Sequence, residues 1–176
     1  MTELPSPQSE LLEALYRGDR DTVEAALAER PDLTVFEAAA VGDSGRVQEL
    51  LTIEPRSVAE WSPDGFTALH LAAFFGRETV AATLLERGAD VSAVARNPLR
   101  VQALHSAAAG GHTAVARLLL EHGADPNARQ EGGFVPLHAA AQARNEELYE
   151  LLLASGADQD AAADDGLTAA DLRADS

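Results

Sequence analysis

The chain has 176 residues, 46% of them hydrophobic, no cysteine, no lysine and a formal net charge of −16. That length suits one domain with a continuous core. The missing thiols exclude a disulfide framework or a thiolate metal site, no apolar run reaches the length of a membrane span, and the acid surplus repels phosphate backbones and anionic membranes.

In chain order, Met1 to Glu10 is polar and holds two prolines, with neither a positive leader nor an apolar stretch. We expect a disordered tail over residues 1–9 of a cytoplasmic protein. A first helical pair is expected over 10–33. Ala14-Leu15-Tyr16-Arg17-Gly18-Asp19 supplies a helix end and a polar turn, and Val23, Ala26 and Leu27 form an apolar stripe at helical spacing. Its many charges suit an end cap. A second pair, 34–61, carries Ala38, Ala39 and Gly42, then Val47, Leu50 and Leu51.

The next three units superimpose on one another. Thr67-Ala68-Leu69-His70-Leu71-Ala72-Ala73, Gln102-Ala103-Leu104-His105-Ser106-Ala107-Ala108 and Val135-Pro136-Leu137-His138-Ala139-Ala140-Ala141 are each followed by a leucine pair and then by Gly-Ala-Asp at 88–90, 123–125 and 156–158. Nineteen positions separate Leu69 from Gly88, Leu104 from Gly123 and Leu137 from Gly156. The leucines themselves recur after 35 and then 33 positions. A fixed period decides the architecture. The units span 62–94, 95–129 and 130–162, with a truncated one at 163–176. Thr67 suits a helix N-cap, Pro136 a first helical turn, and Gly76 and Gly111 the turn between paired helices. Arg144 stands where that glycine would be. The two extra residues of the fourth unit must lie between Gly88 and Leu104, a stretch containing Arg96-Asn97-Pro98-Leu99-Arg100.

These motifs resemble ankyrin repeats. Val135-Pro136-Leu137-His138-Ala139-Ala140, Gly111-His112 and Gly123-Ala124-Asp125-Pro126-Asn127-Ala128 all match that pattern. The resemblance implies an all-α solenoid of helix-turn-helix units linked by hairpin-like β-turns, with about five repeats and a partial sixth. The arginine- and alanine-rich, lysine-free style fits a small stand-alone bacterial member.

Catalysis has little to stand on. His70, His105 and His138 recur one unit apart, and packed helices ~8–10 Å apart cannot offer two such rings to one ion. The resemblance implies instead that they hydrogen-bond between repeats. His112 and His122 fall on the second helix of one unit and are expected to be solvated. Nucleophile, phosphate-cradle and metalloprotease motifs are missing. Neither a metal nor a cofactor is expected.

The resemblance also implies a concave recognition surface made of turn tips and first helices. Trp61, Phe66, Phe74 and Phe75 fall there in the third unit, Leu99 in the fourth and Phe134 in the fifth, with Arg96, Arg100 and Arg129 beside them. Aromatics edged by arginine are common interface hot spots. The expected function is non-catalytic: a monomer binding another protein, not nucleic acid or membrane. The alternative is an acidic, immunity-like inhibitor that mimics nucleic-acid charge.

Overall fold

The computed structural model describes residues 9–29 and 32–174. Among them lie five pairs of α-helices and one single helix. The pairs are α1 (Glu10–Arg17) with α2 (Arg20–Glu29), α3 (Val35–Val41) with α4 (Ser44–Ile53), α5 (Ala68–Phe74) with α6 (Glu78–Glu86), α7 (Ala103–Ala109) with α8 (Thr113–Glu121), and α9 (Pro136–Gln142) with α10 (Glu146–Ala154). Helix α11 (Ala169–Ala174) ends the series. The tail expected over 1–9 lies, apart from Ser9, outside the described residues.

Helices α3, α5, α7, α9 and α11 pack one on the next as an inner layer, and α4, α6, α8 and α10 do so as an outer layer. Small residues make the inner layer possible. Ala72, Ala73, Ala107, Ala108, Ala140 and Ala141 are fully or almost fully buried where neighbouring helices meet, and larger side chains there would hold the backbones apart. Between the layers Leu84, Leu119 and Leu152 are 0% exposed, each stabilising the stack by roughly 1.5–3 kcal/mol. One hydrophobic cluster runs from Leu11 to Ala169.

Each inner helix has a local start signal. Thr67 Oγ1 accepts from the His70 amide, and His70 Nδ1 accepts from the Thr67 amide at 3.2 Å. Gln102 and Val135 keep the second half of this arrangement, donating to His105 Nδ1 at 3.2 Å and His138 Nδ1 at 3.1 Å. With Nδ1 accepting, the ring proton sits on Nε2. His70 Nε2 then donates to the Val101 carbonyl at 3.0 Å, and His138 Nε2 to the Leu167 carbonyl at 3.1 Å. Each of these bonds ties one inner helix to the turn before the next.

Those turns also bond to each other. The Arg96 amide donates to Gly65, Glu131 to Leu99 and Asp164 to Gly132, at 2.8, 3.1 and 2.9 Å. Backbone bonds closing the tips join Ser62 to Phe66, Ala95 to Val101, Gln130 to Phe134 and Ala163 to Leu167. Only the tip between Ala95 and Val101 encloses two residues more than the others, so the insertion sits at 96–100. Asn97 supports it by donating to the Asp64 carbonyl at 3.0 Å, and Arg100 adopts a left-handed backbone with φ 51°. Arg144 is left-handed too, with φ 52°, in the place held by Gly76 and Gly111.

His112 and His122 are not inside the outer helix but cap its two ends. His112 is half-buried rather than solvated: its ring lies over Gly76 and Gly110, so close that a Cβ on Gly76 would meet its Nδ1 at 2.4 Å.

The first pair departs from this regularity. Only residues 30–34 separate α2 from α3, too few for the turn that precedes α5, α7 and α9. Helix α1 is drawn onto the inner face, where Leu12 packs with Ala40 and with Leu71 of the third pair. Helix α2 has no buried residue.

Candidate functional site

Two grooves mark the inner face, and Tyr16 stands between them. The central groove, about 440 Å³, runs across the third to fifth pairs and is lined by Tyr16, Phe66, Leu71, Phe74, Leu99 and Val101, with His105, Ser106, Gln130 and Gln142 as polar points. Phe74 is 36% exposed and Leu99 55% exposed. Leu99 owes its position to the enlarged turn. Its amide donates to Asn97 Oδ1 at 3.1 Å and its carbonyl is fixed by Glu131.

The second groove, about 510 Å³, lies between the first pair and the turn of the third. Leu12, Tyr16, Phe36 and Pro63 form its apolar part, and Glu10, Glu13, Glu37 and Asp64 its acidic part. Tyr16 joins the two sides. Its hydroxyl donates to Asp64 Oδ2 at 3.4 Å, and its ring lies 5.8 Å from Phe74 and 5.3 Å from Phe75. Burial, with Asp64 beside it, raises the phenol's pKa well above its ordinary value and keeps it protonated.

The residues singled out from sequence are dispersed along this face. Phe74 and Phe75 meet edge to face at 5.1 Å, but Phe75 also packs into the small cluster of Leu12, Ala40 and Leu71. Phe66 leans on His70 at 5.9 Å and lines the central groove. Trp61 stands apart and half-buried, with the Arg96 guanidinium 3.5 Å over its ring. Phe134 lies edge-on to His138 at 5.3 Å. Arg129 donates to the Gly133 and Ala162 carbonyls at 3.1 and 3.0 Å, bracing one turn tip to the next. Arg100 is exposed on the enlarged turn. Sequence counting missed Leu12, Tyr16 and Phe36. The signal for them was the short distance between the first two units.

The histidines serve the stack. Burial lowers the pKa of His70 and brings that of His105 down to about 4, so both rings are neutral at pH 7. His105 Nε2 is buried near the Phe134 backbone of the next turn but outside the hydrogen-bond geometry its counterparts reach. Among the described residues no group of three His, Cys, Asp or Glu side chains is placed to hold a metal ion. Among them, too, no helix is long and apolar enough to cross a membrane.

Comparison with known proteins agrees with this geometry. No curated protein matches the chain. The family model for ankyrin repeats (three copies) matches residues 11–95 and again 92–163. Repeats of this kind are generally protein–protein interaction modules and typically non-catalytic. With most of its length matched, the chain belongs to the ankyrin-repeat family.

Proposed function

We propose that this protein is a non-catalytic binding module that seats a protein partner on its inner face, centred on the central groove. The observation that carries the reading is that Phe74 and Leu99, both exposed, line one apolar groove of about 440 Å³. Exposed apolar patches on a folded domain mark interaction sites. The surrounding backbone is fixed by turn-to-turn and histidine bonds, so little order is lost on docking. Of the three arginines that edge the aromatics in the sequence and could pair with an acidic group of the partner, Arg96 is engaged with Trp61 and Arg129 with turn carbonyls. Arg100 alone keeps that role in the proposal.

A photo-crosslinking amino acid placed at Leu99 tests the site in the native cell. It is expected to trap a discrete partner, while the same group at Glu121 on the outer layer traps none. Equal trapping at both positions would contradict the proposal. Charge mimicry of nucleic acid predicts a different result: the partner's affinity would collapse with salt whether or not Leu99 is altered.

A further inference from the structure

The two grooves differ in one respect that bears on the partner's chemistry. None of the residues lining the central groove is a carboxylate, whereas four of those lining the groove beside the first pair are: Glu10, Glu13, Glu37 and Asp64. Among the described residues no arginine lines it. We propose that this second groove takes a cationic segment of a partner protein, an extended stretch in which arginine alternates with apolar residues. The inference rests on the reading that the inner face binds protein.

Three observations support this occupant. The first is the groove's mixed lining. Tyr16 and Phe36 offer aromatic surface, Leu12 and Pro63 aliphatic surface, and the carboxylates stand at the edges. A guanidinium can stack on rings while its N–H groups reach carboxylates, and its methylenes cover the apolar part.

The second is Glu37. The third, fourth and fifth pairs place a histidine three residues after the helix cap, and the second pair places a carboxyl there. Glu37 is 2% exposed. One oxygen accepts from the Thr34 amide at 2.9 Å and its hydroxyl at 2.8 Å, and the other accepts from the Ser9 hydroxyl. The residue therefore keeps the capping function of the histidines and places a carboxyl in the groove lining.

The third is the field of the whole chain. With a net charge of −16, a cleft that already holds carboxylates concentrates potential and attracts cations over anions. Engagement of Asp64 by Tyr16 and Ser62 fixes its position and leaves its sign unchanged.

The experiment uses a fluorescein-labelled peptide of alternating arginine and leucine, a second with glutamine in place of arginine, and the full chain. Anisotropy is read at about 0.05 M and about 0.3 M NaCl. Saturable binding of the arginine peptide is expected, weakened at least tenfold by Glu10→Gln with Glu13→Gln, and likewise by Phe36→Ala. Glu121→Gln with Glu150→Gln, the same charge change on the outer helices, is expected to alter affinity less than twofold. Thermal melting confirms that each variant is folded. Because Phe36 is half-buried, the exposed glutamate pair decides the matter if Phe36→Ala unfolds.

Equal losses from the inner and outer glutamate pairs would overturn the proposal, as would failure of the arginine peptide to saturate. Equal binding of the glutamine peptide would overturn the cationic chemistry alone. In that case a partner trapped at position 99 would still uphold the inner face as the binding surface.

Discussion

The first helical pair and the three central pairs are built from similar apolar residues, yet they use them differently. In the central pairs, alanine faces, leucine layers and turn-to-turn bonds hold every unit in the same relation to the next. Between the first pair and the second lie only residues 30–34, too few for such a turn, so that relation rests on α1 packing against α3 and on Ser9 donating to Glu37. The apolar stripe of the first pair finds the curved inner face instead, and Leu12 and Tyr16 reach the third pair. A unit's place in a solenoid is therefore decided by its connecting turn as much as by its helices. Glu10 and Glu13 of the first pair also line the acidic groove together with Asp64 of the third unit's turn.

The comparison is most directly sharpened by paired leucine truncations. Leu104→Ala, at a fully buried position in the central stack, should cost about 2–5 kcal/mol by urea unfolding. Leu27→Ala in α2, where the side chain is 38% exposed, should cost no more than about 0.5 kcal/mol. Similar costs would mean that the first pair is an ordinary member of the stack.

A second distinction is acid sensitivity, which belongs to the central pairs because they hold the buried histidines. Folding lowers the pKa of His105 from 6.5 to about 4 and lowers that of His70 as well, through burial. The unfolded chain therefore binds more protons between these values. The stabilising contribution is complete above about pH 6.5 and is lost as pH falls towards about 4, by on the order of 3 kcal/mol for His105. Urea unfolding at pH 7.5 and pH 4.5 should show this loss, and His105→Gln should lose less between the two conditions. A variant with the same pH dependence as the parent chain would refute the assignment.

Much of this architecture was legible in the sequence, for identifiable reasons. The nineteen-residue block repeats without change, so the helix pairs, the Thr67 cap and the place of Arg144 at a glycine position all followed from alignment of one unit on another; that its backbone is left-handed there comes from the structure. The insertion was bracketed between Gly88 and Leu104, and the closing bonds from Ala95 to Val101 place it at the turn tip. What escaped the sequence depends on contacts that no period encodes. Tyr16 meets Phe74 across the whole second unit. Trp61 was grouped with the phenylalanines by position, but the nearby Arg96 guanidinium captures its ring. His112 was counted into a helix that it caps.

A smaller effect separates the first pair from the stack in another way. Tyr16→Ala removes two ring contacts from a residue that is 43% exposed, so global stability should fall by only about 1 kcal/mol. Amide hydrogen exchange in α1 and α2 should nevertheless accelerate, with α7 to α10 unchanged, because local opening follows local contacts. Acceleration spread evenly along the chain would show that the first pair is integral to the stack.

The central claim is that the exposed apolar edge of the inner face is needed to hold the partner. Calorimetric titration of the partner trapped at position 99 against Phe74→Ala with Leu99→Ala tests it most directly. We predict a loss of at least about 2 kcal/mol in binding with little change in melting temperature. Unchanged affinity, or a collapse of the fold in place of the affinity, would contradict the account.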